Sequence, residues 1–113
     1  MTDYNQGDVI LVPYPFGERS GGQKRPALVV SPADYNQATG ELIIAQITGH
    51  LSDPARRGDY TIKDWKEANL PQAALVRSRL ATLKTSLVLR RLGRLTEADF
   101  RNAQAALGDL LKQ

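Results

Sequence analysis

The 113-residue chain has no cysteine, which excludes disulfide scaffolds, cysteine–zinc sites and thiol catalysis. With one histidine and one methionine, it cannot build a multi-histidine metal site or a redox centre alone. Long apolar runs are also missing. Runs such as residues 27–30 fall far short of the roughly 20 residues that span a bilayer. Residues 1–6 have neither the charged nor the apolar region of a secretion signal. A cytoplasmic protein without membrane association is therefore expected. No Gly-x-x-x-x-Gly-Lys or Gly-x-Gly-x-x-Gly phosphate loop occurs, and the carboxylates are scattered rather than paired. What is present is 42% hydrophobic residues, enough for one domain over residues 1–113 that buries roughly two-thirds of its unfolded surface.

Charge is unevenly spread. Lys and Arg number 15 against 12 Asp and Glu, a net +3. Between Glu67 and Glu97 no acid occurs, yet Arg77, Arg79, Lys84, Arg90, Arg91 and Arg94 fall there, so that stretch carries +6 and the remainder −3. Arginine outnumbers lysine ten to five, and its planar fork of donors matches phosphate where an ammonium is a point charge. The stretch fits either a phosphate-bearing partner or a solvated cationic face.

Residues 8–12, a β-branched run closed by Pro13, predict a first strand. Residues 14–24, with Pro15, Gly17, Gly21 and Gly22 and no periodicity, predict a long loop. A second strand over 26–31 starts on Pro26 and leaves Arg25 at its mouth. Residues 36–40 supply turn chemistry before a third strand over 41–48, which Thr48 ends. A loop over 49–58, a strand over 59–63, a polar segment over 64–69 and a strand over 73–78 follow. Short strands at this spacing indicate a small barrel or sandwich. Residues 87–95 fit either a helical turn or an edge strand. After Thr96, Phe100, Ala103, Leu107, Leu110 and Leu111 recur at helical intervals and predict a terminal helix packed on the sheet. Thr96 and Asp99 are spaced as a capping box, with Asp in place of the usual Glu or Gln.

The residues left to carry chemistry are polar groups at strand ends and loops: Arg25, Thr48, His50, Arg77 and Arg79. No serine in a nucleophile-elbow context accompanies His50, so a Ser-His-Asp triad has no basis. A phosphodiester attacked by its own neighbouring 2′-hydroxyl needs little more than this set. The substrate supplies the nucleophile, and the protein neutralises charge developing on the phosphorus and helps protons move. An arginine before one strand and a threonine ending the next fit that task if the two ends meet at one rim; separately, each also reads as a surface cation and a turn former. Tyr14 and Phe16 in the first loop either stack on unpaired bases or pack beneath the loop. Trp65 reads first as a core or subunit-interface anchor and second as an RNA contact.

The order of residues resembles the MazF/PemK endoribonuclease toxins of bacterial toxin–antitoxin systems over nearly the whole chain. The likeness rests on Gly7-Asp8-Val9-Ile10-Leu11-Val12, on Lys24-Arg25-Pro26-Ala27-Leu28-Val29-Val30-Ser31, on Thr48, on Val76-Arg77 and on Leu92-Gly93-Arg94-Leu95-Thr96. It implies a mainly β fold, an SH3-like small barrel with a C-terminal α-helix. The activity implied is metal-independent, cofactor-free cleavage of single-stranded RNA by a homodimer, giving 2′,3′-cyclic phosphate and 5′-hydroxyl ends. By the same likeness Arg25 and Thr48 are catalytic: Arg25 stabilises the phosphate charge and assists proton transfer, and Thr48 hydrogen-bonds the scissile phosphate. The RNA-binding residues expected are Tyr14, Phe16, Lys24, Gly49, His50, Arg77 and Arg79. The implied partner is a cognate MazE-like antitoxin with an acidic, disordered tail along the basic groove. The chain departs from some members in having Gly49 where they have a hydroxyl residue, Arg79 where they have an acid, and no histidine in the first loop. His50 is then the one candidate for additional acid–base work near neutral pH.

The same sequence features also fit two other functions. One is a non-catalytic RNA- or DNA-binding module on the same barrel. The other is gyrase poisoning, as in the CcdB toxins, which the single tryptophan at position 65 and the ending Leu110-Leu111-Lys112-Gln113 disfavour.

Overall fold

The apolar runs form strands, and their unbroken character has a physical reason: the sheet is buried on both faces. In the computed structural model, which describes residues 3–14, 23–51 and 54–112, six strands form one antiparallel sheet. They are β1 (Asp8–Pro13), β2 (Lys24–Val29), β3 (Glu41–Thr48), β4 (Tyr60–Thr61), β5 (Leu75–Lys84) and β6 (Arg90–Arg94). Their order is β4-β5-β3-β2-β1-β6. The sheet curls into a half-barrel, with helix α1 (Ala33–Thr39) between β2 and β3 and helix α2 (Glu97–Leu111) at the C-terminus.

Successive side chains of a strand point to opposite faces, and both faces are apolar here. One face gathers Val9, Leu28, Ala45, Ile47 and Val76 against Ile62, Leu70 and, from α2, Ala103 and Leu107. The other gathers Ile10, Val12, Ala27, Val29 and Ile44, with Leu87 and Val88 packed on it. The expected small barrel with a terminal helix is therefore borne out as a half-barrel.

Its unpaired edges, β4 and β6, are bridged by residues 64–70. Asn69 adopts the left-handed conformation (φ 65°) that asparagine tolerates. Its side-chain amide donates to the Leu92 carbonyl at 2.8 Å. A Cβ at Gly93 would run into the Ala68 carbonyl, so glycine is what lets the bridge lie on β6.

Several boundaries differ from expectation. β2 starts at Lys24, so Arg25 lies inside the strand rather than at its mouth. The turn expected at residues 36–40 is the second half of α1 and its cap, with Gly40 at φ 70°. This short helix has no apolar stripe; it is held by the buried Asn36 amide, which donates to the carbonyls of Tyr4 and Ser31. β4 is only two residues, and β5 runs to Lys84. Residues 87–95 resolve into the end of a 3-10 turn and the edge strand β6.

In α2, Thr96 caps the helix by accepting from the Asp99 N–H, as expected. The Asp99 carboxylate also accepts from the N–H groups of Lys63 and Asp64 and from the Tyr60 hydroxyl, docking the helix on the β4 region. Leu111, expected in the core, is 72% exposed. Trp65 packs half-buried against the first core, and Lys66 lies over its ring.

Candidate functional site

The site begins with a proline. β2 pairs with β1 from Leu28 back to Lys24, but its pairing with β3 stops at Ala27, opposite Gln46. Pro26 is the next residue and has no N–H to donate. The same register continued by two residues would set Arg25 across from Thr48, and past Pro26 the two strands part. A cavity of about 790 Å³ lies at this end, lined by Arg25 and Thr48.

Arg25 is exposed on β2, and its guanidinium lies over the Tyr14 ring, 5.4 Å from the centroid. Thr48 is half-buried at the end of β3. Its hydroxyl oxygen accepts from the His50 N–H at 3.2 Å, which leaves the hydroxyl proton to be donated to a ligand. Gly49 sits beneath the Gln72 side chain, and the exposed His50 follows it.

The lining is cationic. Lys24, Arg25, Arg56, Arg79 and Arg90 contribute exposed positive side chains, and no carboxylate lines the cavity among the described residues. Crowding like charges in a concave surface raises the local potential and draws in polyanions. Among the described residues no group of three or more His, Cys, Asp or Glu comes together as a metal site would require.

Arg77 also reaches the cavity, but as a member of a buried pair. Its Nε and Nη2 donate to the two carboxylate oxygens of Asp59 at 3.3 and 3.0 Å, with side chains 7% and 6% exposed. Burial alone would push the Asp59 carboxyl up, but the Arg77 hydrogen bonds, the Arg56 N–H and the charges of Arg77 and Arg56 outweigh it and hold it below the ordinary aspartate value.

The structure thus brings together Tyr14, Lys24, Arg25, Thr48, Gly49, His50, Arg77 and Arg79 at one cavity. Phe16 lies outside the described residues. Arg56, Arg90 and the amides of Gln46, Asn69 and Gln72 also line it and were missed. Arg90 belonged to the cationic run, but nothing local separated it from Arg91 and Arg94, whose guanidiniums lie 3.0 and 3.9 Å from Asp8. Arg56 stood in a loop with no neighbouring signal.

Residues 5–111 match the family model described as a PemK-like, MazF-like toxin of type II toxin–antitoxin systems. No curated protein matches the chain in sequence. Among solved structures, a MazF from Deinococcus radiodurans is 22% identical, with 98% of each chain covered and a TM-score of 0.75. A MazE–MazF structure from Deinococcus radiodurans is 25% identical, with 97% of each chain covered and a TM-score of 0.76. An endoribonuclease in complex with its cognate antitoxin, from a mycobacterial species, is 19% identical, with 96% of this chain and 94% of that chain covered and a TM-score of 0.76.

Proposed function

The chain belongs to the PemK-like, MazF-like toxins of type II toxin–antitoxin systems, and from that membership we propose that it is an endoribonuclease that cuts single-stranded RNA in the cationic cavity. The observation that carries the reading is the placement of Arg25 and Thr48 where β2 and β3 part, in a cavity with five exposed cations and no lining carboxylate among the described residues.

The chemistry follows from what these groups can and cannot do. None is a strong nucleophile, so the attacking oxygen comes from the RNA. The ribose 2′-oxygen bonds to the adjacent phosphorus and loses its proton; the P–O5′ bond breaks, and O5′ takes up a proton. The products are a 2′,3′-cyclic phosphate and a 5′-hydroxyl. Charge accumulates on the non-bridging oxygens as phosphorus becomes five-coordinate. The Arg25 fork and the Thr48 hydroxyl donate hydrogen bonds to them, an electrostatic contribution that is worth most when pre-set in a site of low polarity. His50, beside Thr48, and solvent exchange the protons. Lys24, Arg56, Arg79 and Arg90 hold neighbouring phosphates. Because the substrate supplies the nucleophile, the reaction needs no metal.

The partners follow from the same surface. RNA enters single-stranded, since its bases must be splayed for the backbone to bend at the cut. A MazE-type antitoxin with an acidic segment fits the cavity's charge, and family membership is what supports a homodimer in the cytoplasm as the functional unit. Long single-stranded RNA incubated with the protein in EDTA tests the reading. Cuts at a short recurrent motif, lost in Arg25→Ala and reduced at least tenfold in Thr48→Ala, are expected. RNA that is bound but left uncut by the folded wild-type protein would replace this reading with a binding module.

A further inference from the structure

We infer that Tyr14 is a positioning residue: it holds Arg25 and Arg79 together as one anion-binding pair for the scissile phosphate. The inference rests on the endoribonuclease reading above and assigns a part that the sequence did not. The sequence offered Tyr14 as a platform for a base, yet Arg25 lies over its ring, 5.4 Å from the centroid. Its hydroxyl meets Arg79 Nη1 at 3.4 Å.

Two features of the fold bring these three side chains together. The first is the end of β1. The Tyr14 N–H donates to the Gln23 carbonyl at 3.0 Å, so the ring is carried by the β1–β2 ladder directly beside Arg25. The second is an irregularity in β5. Its pairing with β3 runs through Ala45 opposite Leu80 and then jumps to Gln46 opposite Arg77, which leaves Ser78 and Arg79 without partners on β3. Bulged residues of this kind bend a strand and re-aim its side chains. Arg77 remains in the buried pair with Asp59, while Arg79 is exposed at the cavity.

Two guanidiniums that touch one tyrosine, one at its ring face and one at its hydroxyl, repel one another. The electron-rich face of an aromatic ring and a phenolic oxygen both attract cations, so one tyrosine can offset the repulsion and fix the orientation of both. With the two forks held in place, each faces one non-bridging oxygen of the phosphate. Charge growing on those oxygens then meets donors that need no rearrangement.

Steady-state cleavage of a single-stranded RNA oligonucleotide, with kcat and KM resolved and thermal unfolding run alongside, tests the inference. Tyr14→Leu is expected to lower kcat about 3- to 30-fold, the range a cation–π contact supplies, without a matching loss of Tm. Tyr14→Phe, which restores the ring face but not the hydroxyl, is expected to recover most of that kcat with KM raised about threefold. An all-2′-deoxy oligonucleotide of the same sequence is uncleavable, and its affinity closes a double-mutant cycle. Arg25→Ala combined with Tyr14→Leu is expected to bind only about threefold more weakly than Arg25→Ala alone, the share of the hydroxyl on Arg79, and so to lose less than the two single variants together. If the leucine variant fails to fold, Tyr14→Phe combined with Arg79→Gln gives the equivalent cycle through the hydroxyl.

Wild-type kcat in Tyr14→Leu, or additive losses in the cycle, would overturn the positioning role and leave the endoribonuclease reading standing. A wild-type protein that cuts no RNA would overturn that reading instead, and the binding cycle would still decide the part played by Tyr14.

Discussion

Two buried aspartates show how single residues tie this fold together. Asp59 holds the Arg77 guanidinium beneath the cavity. Asp99 is 1% exposed and accepts from two backbone N–H groups and a phenol. Removing one member of a buried pair strands the other charge, so Asp59→Ala is expected to cost about 3–5 kcal/mol in a urea titration. Burial opposes ionisation of Asp99, but its hydrogen bonds from Tyr60, Asp64, Lys63 and Thr96 prevail, and its carboxyl, like that of Asp59, titrates below the ordinary value. Between its folded and unfolded pKa values, each group is protonated in the unfolded chain but not in the folded one. The stability it contributes is thus complete above about pH 4 and is lost as pH falls through the folded value. Urea titrations from pH 7 down to pH 3 are expected to show that loss, and Asp99→Asn is expected to remove the Asp99 share of it while costing about 1–3 kcal/mol at pH 7. None of this was legible in the sequence, because each partnership is made across the fold. Asp59 lies 18 residues from Arg77, and Asp99 lies 39 from Tyr60.

At the scale of elements, legibility followed the source of stability. Strands over β1, β2 and β3 could be read because short apolar, β-branched runs bounded by turn residues mark strands. Helix α2 could be read because its stripe has helical spacing. Helix α1 escaped because a buried asparagine, not an apolar face, holds it in place. The strand boundaries that matter for the site escaped too. Pro26 read as a strand start, whereas its effect is to end one ladder while the other continues to Lys24. The β5 bulge has no local signature at all. The bridge that closes the curled sheet depends on Gly93, where an added Cβ would meet main chain that cannot swing aside. Gly93→Ala is accordingly expected to cost about 1–3 kcal/mol, measured as a lowered urea midpoint with an unchanged m-value.

Across the whole molecule, the cationic stretch of the sequence does not form one face. Arg79 and Arg90 line the cavity, Arg77 is paired with Asp59, Arg91 and Arg94 lie against Asp8, and Lys84 stands opposite Glu41 in the ladder. Lys24, Arg25 and Arg56, from elsewhere in the chain, complete the cavity. RNA affinity is expected to fall with added salt, and the slope to drop by about 0.7 in Arg90→Gln while Arg94→Gln leaves it in place. That Arg25 and Thr48 line one cavity was legible as two strand ends that could meet; the rest of the lining was not, because folding alone assembles it. On the proposed function this assembly lets RNA cut itself with its own 2′-hydroxyl. The most direct measurement compares an RNA oligonucleotide containing the cut site with a twin lacking only the 2′-hydroxyl at the scissile nucleotide. The RNA is expected to be cut to a 5′-hydroxyl end and the twin to stay intact. Cleavage of the twin at the same bond would contradict the claim.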